Sequence, residues 1–86
     1  LAIALGQNGK NRDAIRVLET SLQINPDYIK AHVSLSLIYD FLGEGDKAIE
    51  HSLIASKLFT VKEDNISAKN IERRLKMLYK KYKKQT

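Results

Sequence analysis

The chain has 86 residues, of which 43% are hydrophobic and 29% charged, and its formal net charge is +5 at pH 7. This length provides for one small domain, and the absence of cysteine excludes disulfides, thiolate metal sites and a thiol nucleophile. No apolar run approaches the roughly 20 residues that a membrane-spanning helix needs.

The positive charge lies in the last segment of the chain. Residues 1–60 carry six basic and seven acidic side chains, a sum of −1, whereas residues 61–86 carry nine basic and three acidic side chains, a sum of +6. The net charge is therefore a property of the C-terminal segment and not of the whole surface.

The N-terminus and the composition bear on the origin of the chain. It begins at Leu1, with no initiator methionine and already inside an apolar helical pattern, so we expect a piece of a longer protein. Any signal peptide would have been lost with the preceding part. The sequence leaves the localisation unknown, although the lack of cysteine fits a reducing compartment and favours the cytoplasm.

An internal repeat becomes visible when the chain is compared with itself at an offset of 34 residues. Residues of similar size and polarity then coincide along the first 60 positions. The coinciding pairs include Leu1 and Leu35, Ala2 and Ser36, Ile3 and Leu37, Leu5 and Tyr39, Gly9 and Gly43, Ala14 and Ala48, and Ile15 and Ile49. The period indicates a repeated supersecondary unit.

Each unit has the pattern helix–turn–helix. Gly9 and Gly43 interrupt the apolar periodicity where a tight turn is needed. Asn11 is the expected N-cap of one helix, and Asp46 lies in the first turn of another. In the segment 25–27, an asparagine cap precedes Pro26 at the first helical position. The sequence predicts no strand, and helices at 1–8, 11–24, 27–42, 45–59 and about 63–83.

The repeat resembles the tetratricopeptide repeat family. The resemblance rests on Leu35–Tyr39, Leu42-Gly43, Ala48-Ile49, Ala55, and Asn25-Pro26 at the junction of two repeats. It covers residues 1–60, as one repeat that is incomplete at its N-terminus and a second at about 27–60. It implies an all-α fold, a right-handed helical solenoid of antiparallel helix pairs. The sequence departs from the family pattern at His32, Ser36, Ser52 and Thr60.

The last segment, 61–86, does not continue the period. At an offset of 36 residues, His32, Leu35, Tyr39 and Leu42 fall on Ala68, Ile71, Leu75 and Leu78, which form an apolar stripe with Tyr82. We infer two extra residues in the connection at about 60–65, followed by a basic amphipathic capping helix and tail. This helix starts with a capping box at Thr60–Glu63 or with a cap at Asn65.

The sequence contains no arrangement typical of an enzyme or a metal site. His32 and His51 lie on different helices, without the i, i+4 spacing of a zinc site; we expect His32 in the core and His51 on the surface. The serines do not lie on a strained turn, and Gly43-Glu44-Gly45 lacks the strand and lysine of a phosphate loop. We expect no catalysis and no cofactor.

A second apolar stripe on the helix at 27–42 indicates a binding surface. The stripe expected to face the core comprises Tyr28, Ala31, Leu35, Ile38, Tyr39 and Leu42. Val33, Leu37 and Phe41 follow one another at i, i+4 and i+8 on the opposite side, and a helix that is apolar on both sides is buried or binds a partner. The alternative to a binding surface is that neighbouring helices of the same chain cover some of these three side chains.

The family resemblance implies which surface this second stripe would line. In tetratricopeptide proteins the first helix of each repeat lines a concave groove that binds a helix or peptide of another protein. The resemblance implies a groove here with Ile3 beside Leu37, and with Lys30 and Asp40 at its flanks. The Lys and Asn with which some members grip a terminal carboxylate are replaced by Val33 and Leu37. We therefore predict a protein–protein interaction scaffold.

Two other partners are compatible with the sequence. The basic face of the last helix would bind an anionic membrane surface or nucleic acid in the alternative function, although lysines also solvate a capping helix. This face comprises Lys69, Arg73, Lys76, Lys80, Lys83 and Lys84. Self-association is a further expectation, because missing repeats would uncover apolar surface.

Overall fold

A computed structural model describes residues 8–83 and shows an all-α chain of four helices, with no strand in that range. The helices are α1 (Asn8–Ile24), α2 (Ile29–Phe41), α3 (Gly45–Val61) and α4 (Asn65–Lys81). Each helix packs against the next one along the chain. The all-α class is therefore confirmed, while the expected helix at 1–8 and Ile3 lie outside the described residues.

The start of α1 differs from the prediction. The helix is already formed at Asn8 and runs through Gly9, so the turn expected at Gly9 is wrong. Asn11 lies inside the helix and is buried, and it therefore does not cap it. A single glycine in a helix costs only about 1 kcal/mol, which the packing of α1 on α2 is able to offset.

The turn between α1 and α2 is longer than expected. Pro26 lies in the turn and not at the first helical position, because α2 begins only at Ile29. The Asn25 side chain accepts a hydrogen bond from the Asp27 amide at 3.2 Å, so it stabilises the turn itself. Tyr28 is consequently the residue before the helix and is 42% exposed, not part of the core stripe.

The turn at Gly43 is confirmed. Gly43 has a φ of +81°, the Glu44 amide bonds the Tyr39 carbonyl at 2.8 Å, and the Gly43 amide bonds the Asp40 carbonyl at 3.1 Å. This pair of bonds is a Schellman motif, which favours glycine at the left-handed position. α2 and α3 are thus joined as a tight antiparallel hairpin.

The connection from α3 to α4 uses the same motif without glycine. Glu63 has a φ of 61°, and the Asp64 amide bonds the Phe59 carbonyl at 2.9 Å. The Asp64 carboxylate caps α4 by accepting from the Ser67 amide at 3.1 Å. The predicted capping box is therefore wrong, since Thr60 is still inside α3, and so is the alternative cap at Asn65, which is the first helical residue.

The offset of 36 residues between α2 and α4 holds in the structure. Their first residues, Ile29 and Asn65, are 36 positions apart. The extra length lies in α3, which continues to Val61, and not in the loop, where it was expected. The apolar stripe of α4 is confirmed, because Ala68, Ile71, Leu75 and Leu78 are buried and Tyr82 packs against the core at a partly exposed position.

The core lies mainly between α2, α3 and α4. Leu35 and Leu78 are its largest fully buried apolar side chains, and Ala48 and Ala55 of α3 are completely buried as well. Their small size lets α3 approach both flanking helices closely. α1 adds Ile15 to this core.

A polar contact also joins α1 to α2. Tyr39 donates its hydroxyl hydrogen to Glu19 of α1 at 3.0 Å. Burial and this hydrogen bond raise the pKa of Tyr39 to about 12. Tyr39 therefore remains a neutral donor throughout the ordinary pH range.

Two further polar contacts cross from α2 to α3. His32 Nε2 donates to the Pro26 carbonyl at 2.9 Å, which leaves its Nδ1 to accept from His51 Nδ1 at 3.0 Å. His32 is buried as expected, but His51 is a partly buried partner of the interface and not a simple surface residue. Nearby, Ser36 donates to the Ala48 carbonyl at 2.9 Å and lies 2.5 Å from the Ser52 hydroxyl.

Candidate interaction surface

The side of α2 opposite the core carries two well-exposed apolar side chains. Leu37 is 46% exposed and Phe41 is 47% exposed. Val33, the third member of the predicted stripe, is half-buried and packs against the core. The three residues therefore follow one face of the helix, but only Leu37 and Phe41 present nearly half of their surface to solvent.

Val33 lies in a cleft between the beginning of α2 and the end of α3. The cleft has a volume of about 360 Å³ and is lined by Ile29, Lys30, Val33, Ser34 and Phe59. The aromatic ring of Phe59 comes from the last turns of α3, which reach this position because α3 runs antiparallel to α2. Lys30, one of the predicted flanking residues, is exposed at the rim of this cleft.

Asp40, the other predicted flanking residue, is held by α4. Its carboxylate accepts from Lys81 at 2.9 Å, from the Tyr82 hydroxyl at 2.8 Å and from Arg74 at 3.3 Å. Its side chain is only 15% exposed. Asp40 thus joins the C-terminal halves of α2 and α4, and its carboxylate is bound within the chain. We call these contacts of Asp40 with Arg74, Lys81 and Tyr82 the joint between α2 and α4.

The electrostatics of this joint follow from its contacts. Burial raises the pKa of the Asp40 carboxyl, but hydrogen bonds from Lys81 and Tyr82 lower it by more, together with the charges of Lys81 and Arg74. The net result is a pKa below the ordinary value, so Asp40 is ionised at neutral pH. The same hydrogen bond raises the pKa of Lys81.

Tyr82 contacts the hairpin between α2 and α3 at two further points. Its single hydroxyl hydrogen is shared between the Asp40 carboxylate and the Asp40 main-chain carbonyl, which lies 3.1 Å from the hydroxyl oxygen. Its ring covers Gly45, the first residue of α3, where a Cβ atom would lie within 2.6 Å of three ring carbons. The end of α4 is therefore packed directly on the hairpin between α2 and α3.

Sequence reasoning did not find Arg74, Lys81 or Tyr82 as partners of Asp40. A signal exists in their spacing: Arg74 and Lys81 lie at i and i+7 on one side of α4, beside the apolar stripe that ends at Tyr82. A pair of cations at the edge of an apolar stripe favours contact with an acidic side chain on a neighbouring helix.

Exposed apolar side chains flank the contacts of Asp40 on both helices. Met77 is 47% exposed and lies between Arg74 and Lys81 along the helix, at i+3 and i−4 from them. Leu37 precedes Asp40 by one helical turn. Leu37 and Met77 thus flank the contacts of Asp40 with Arg74 and Lys81, one on each helix.

Two cations accompany Met77 on α4. Arg73 and Lys80 are exposed and lie one turn before and one turn after it. We define the α2–α4 surface as the exposed faces of both helices on this side. It comprises Lys30, Val33, Leu37 and Phe41 of α2 and Arg73, Met77 and Lys80 of α4.

The remaining basic residues of the predicted cationic face are Lys69, Lys76 and Lys83, which are exposed, and Lys84, which lies outside the described residues. In the range 8–83 the structure shows no group of three or more His, Asp or Glu side chains that would hold a metal ion. None of the helices in that range has the length and apolar character needed to cross a bilayer.

Comparison of the chain with protein-family models, with curated proteins and with solved structures finds no match.

Proposed function

We propose that this chain is a tetratricopeptide-like segment that binds a helix or extended segment of another protein on the α2–α4 surface. The observation that carries the proposal is the exposure of Leu37 and Phe41 on the side of α2 opposite its buried face. Exposed apolar side chains on one helix face, here with a further exposed apolar side chain at Met77 of α4, are typical of interaction sites on soluble proteins.

The repeat assignment is supported by the equivalent positions of α2 and α4. Both helices pack on α3, bury residues at matching positions, and are cross-linked at Asp40. In a tetratricopeptide-like solenoid, α2 and α4 would be the first helices of successive units. Their outer faces would then form the concave surface, to which a partner binds without a large rearrangement of the backbone.

The test compares two leucines of similar exposure. Leu37 lies on the α2–α4 surface, whereas Leu53 is 41% exposed on α3. We expect peptides selected from a displayed library against the 86-residue chain to bind Leu37→Glu at least tenfold more weakly, because a central interface side chain contributes about 2 kcal/mol or more. Leu53→Glu should bind them as the parent does.

Helical circular dichroism of both variants should match the parent, since neither leucine is buried. If Leu37→Glu collapsed the fold, Leu37 would be a core residue and the proposal would be lost. Selected peptides that bind both variants equally well would place the binding site elsewhere.

The exposed cations of α4 and of the residues that follow it favour a second candidate function, the binding of an anionic membrane or nucleic acid. Lys69, Lys76 and Lys83 form no ion pair within residues 8–83. Salt separates the two candidates, because phosphate binding falls steeply with ionic strength, while apolar binding does not. Charge reversal at Lys69 and Lys76 should abolish phosphate binding and leave peptide binding unchanged.

A further inference from the structure

The charges of the α2–α4 surface are unbalanced. Lys30, Arg73 and Lys80 are exposed beside its apolar side chains, and none of the three forms an ion pair within residues 8–83. The surface therefore combines apolar contact area with three cations that are available to a ligand.

Neither helix supplies a free carboxylate to this surface. Asp40 is the one acidic residue of α2, and Arg74 and Lys81 already neutralise it. Glu72 is the one acidic residue of α4, and it lies on a different side of that helix from Met77, from which five residues separate it. Asp27 of the preceding turn lines a cleft together with Lys30, whereas Arg73 and Lys80 have no ion-pair partner within residues 8–83 and can pair with acidic groups of a partner.

We infer that the partner of the α2–α4 surface is an amphipathic protein segment whose apolar side chains are flanked by Asp or Glu. This inference rests on the proposed function and names the chemistry of its partner. Leu37, Phe41 and Met77 accept the apolar side chains, and the acidic flanks meet the cations. Charge complementarity of this kind steers a partner and excludes segments of the wrong sign.

Other occupants fit these observations less well. A second copy of the chain would bring a helix with six basic residues and one acidic residue towards a surface that is itself cationic. Nucleic acid would neutralise the cations but would leave Leu37 and Phe41 without apolar partners.

The test uses three designed helical peptides of about 14 residues, long enough to span both helices. The first carries a leucine stripe flanked by Glu, the second has the same stripe flanked by Lys, and the third keeps Glu but replaces the leucines with serine. Fluorescence anisotropy with the 86-residue chain measures each Kd at about 50 and about 150 mM salt.

We expect the Glu-flanked leucine peptide to bind at least about tenfold more tightly than the Lys-flanked one, with a smaller difference at the higher salt concentration. Arg73→Glu with Lys80→Glu should reverse this preference. Lys10→Glu with Lys57→Glu is the matched control, because it makes the same change in net charge at exposed positions on α1 and α3, outside the α2–α4 surface. It should keep the preference.

The outcomes separate the inference from the proposed function. If both leucine peptides bind equally and Leu37→Glu weakens both, the acidic partner is wrong and the proposed function stands. If none of the peptides binds at about 100 µM, both are overturned. Equal binding of the serine peptide, or of vesicles with anionic lipid, would overturn the inference in favour of a purely electrostatic ligand, and dimers in sedimentation would favour a second copy.

Discussion

Replacement of Asp40 by asparagine tests whether the joint between α2 and α4 stabilises the fold. The change keeps the shape of the side chain and removes the negative charge of the carboxylate. Arg74, Lys81 and Tyr82 all donate hydrogen bonds to this carboxylate. Asp40 and Arg74 are 15% and 21% exposed, so their contact lies between a surface ion pair and a buried one. Lys81 is well exposed to solvent and adds little.

The expected loss in the free energy of unfolding comes from those contacts of Asp40 that are shielded from solvent. A hydrogen bond to a charged group contributes about 1.5–3 kcal/mol when it is shielded from water. The Tyr82 hydroxyl makes such a bond to the carboxylate, and Arg74 would lose its charged partner. We therefore expect Asp40→Asn to lower the free energy of unfolding by about 2 kcal/mol at neutral pH.

Urea unfolding followed by circular dichroism measures this loss. The matched control is Asp13→Asn, because Asp13 also pairs with an arginine, Arg16 at 3.6 Å, but both side chains are more than two-thirds exposed at 72% and 78%. The control should change the free energy of unfolding by less than about 0.5 kcal/mol. Equal stabilities for Asp40→Asn and the parent would refute the joint as a stabilising contact.

The acid dependence gives an independent check on the same residue. The pKa of Asp40 is lowered in the folded chain, so its contribution is fully present above the ordinary value of 3.8. The contribution is lost as the pH falls through the lower, folded value. The parent should therefore lose more stability than Asp40→Asn in this window, and parallel profiles would count against the argument.

Two further predictions concern contacts at other places. Burial and the neighbouring His32 lower the pKa of His51; Lys47 adds to this effect, while Glu50 and Glu19 oppose it. The free energy of unfolding should therefore decline as the pH falls below 6.5. His51→Gln should reduce that decline in thermal melts, and an identical pH dependence of the melting temperature in variant and parent would contradict the contact between His51 and His32. Gly45→Ala should displace the Tyr82 ring and cost about 1–3 kcal/mol in urea unfolding. In a Tyr82→Ala background the same change should cost little, and fully additive losses would show that the two residues do not contact each other.

Hydrophobic periodicity predicted the parts of the fold that depend on local pattern. The stripe from Ala68 to Leu78 is buried because one face of a regular helix must cover the core. The spacing of Leu37 and Phe41 likewise indicated their side of α2, and their exposure agrees with it, although their binding role stays a prediction. Periodicity failed at Gly9, where the pattern contained a turn signal that packing overrides.

The joint at Asp40 was not accessible to the same reasoning. Its partners follow it by 34 to 42 positions, and their contact depends on how α4 lies across the hairpin. A helical pattern fixes which side of one helix faces the core, but not which residue of another helix it meets. The carboxylate of Asp40 was therefore expected at the edge of a groove, where the structure shows it bound to α4.

The departures from the tetratricopeptide pattern become intelligible as contacting pairs. His32 stands where the pattern that the sequence resembles has a large aromatic residue. His51 of α3 bonds the His32 ring nitrogen that the Pro26 carbonyl does not reach. Ser36 and Ser52 are both fully buried and are bonded to each other, with the Ala48 carbonyl as a second acceptor.

A buried polar atom without a partner costs about 1–3 kcal/mol, so each pair satisfies a ring nitrogen or hydroxyl that its other hydrogen bond leaves over. Both pairs join α2 to α3, which is the interface that holds the exposed face of α2 in place. Because each polar group is satisfied by a residue of the facing helix, the pairs fix the register of the two helices more narrowly than apolar packing alone would. The polar residues that weaken the resemblance in sequence therefore specify the position of Leu37 and Phe41, on which the proposed function depends.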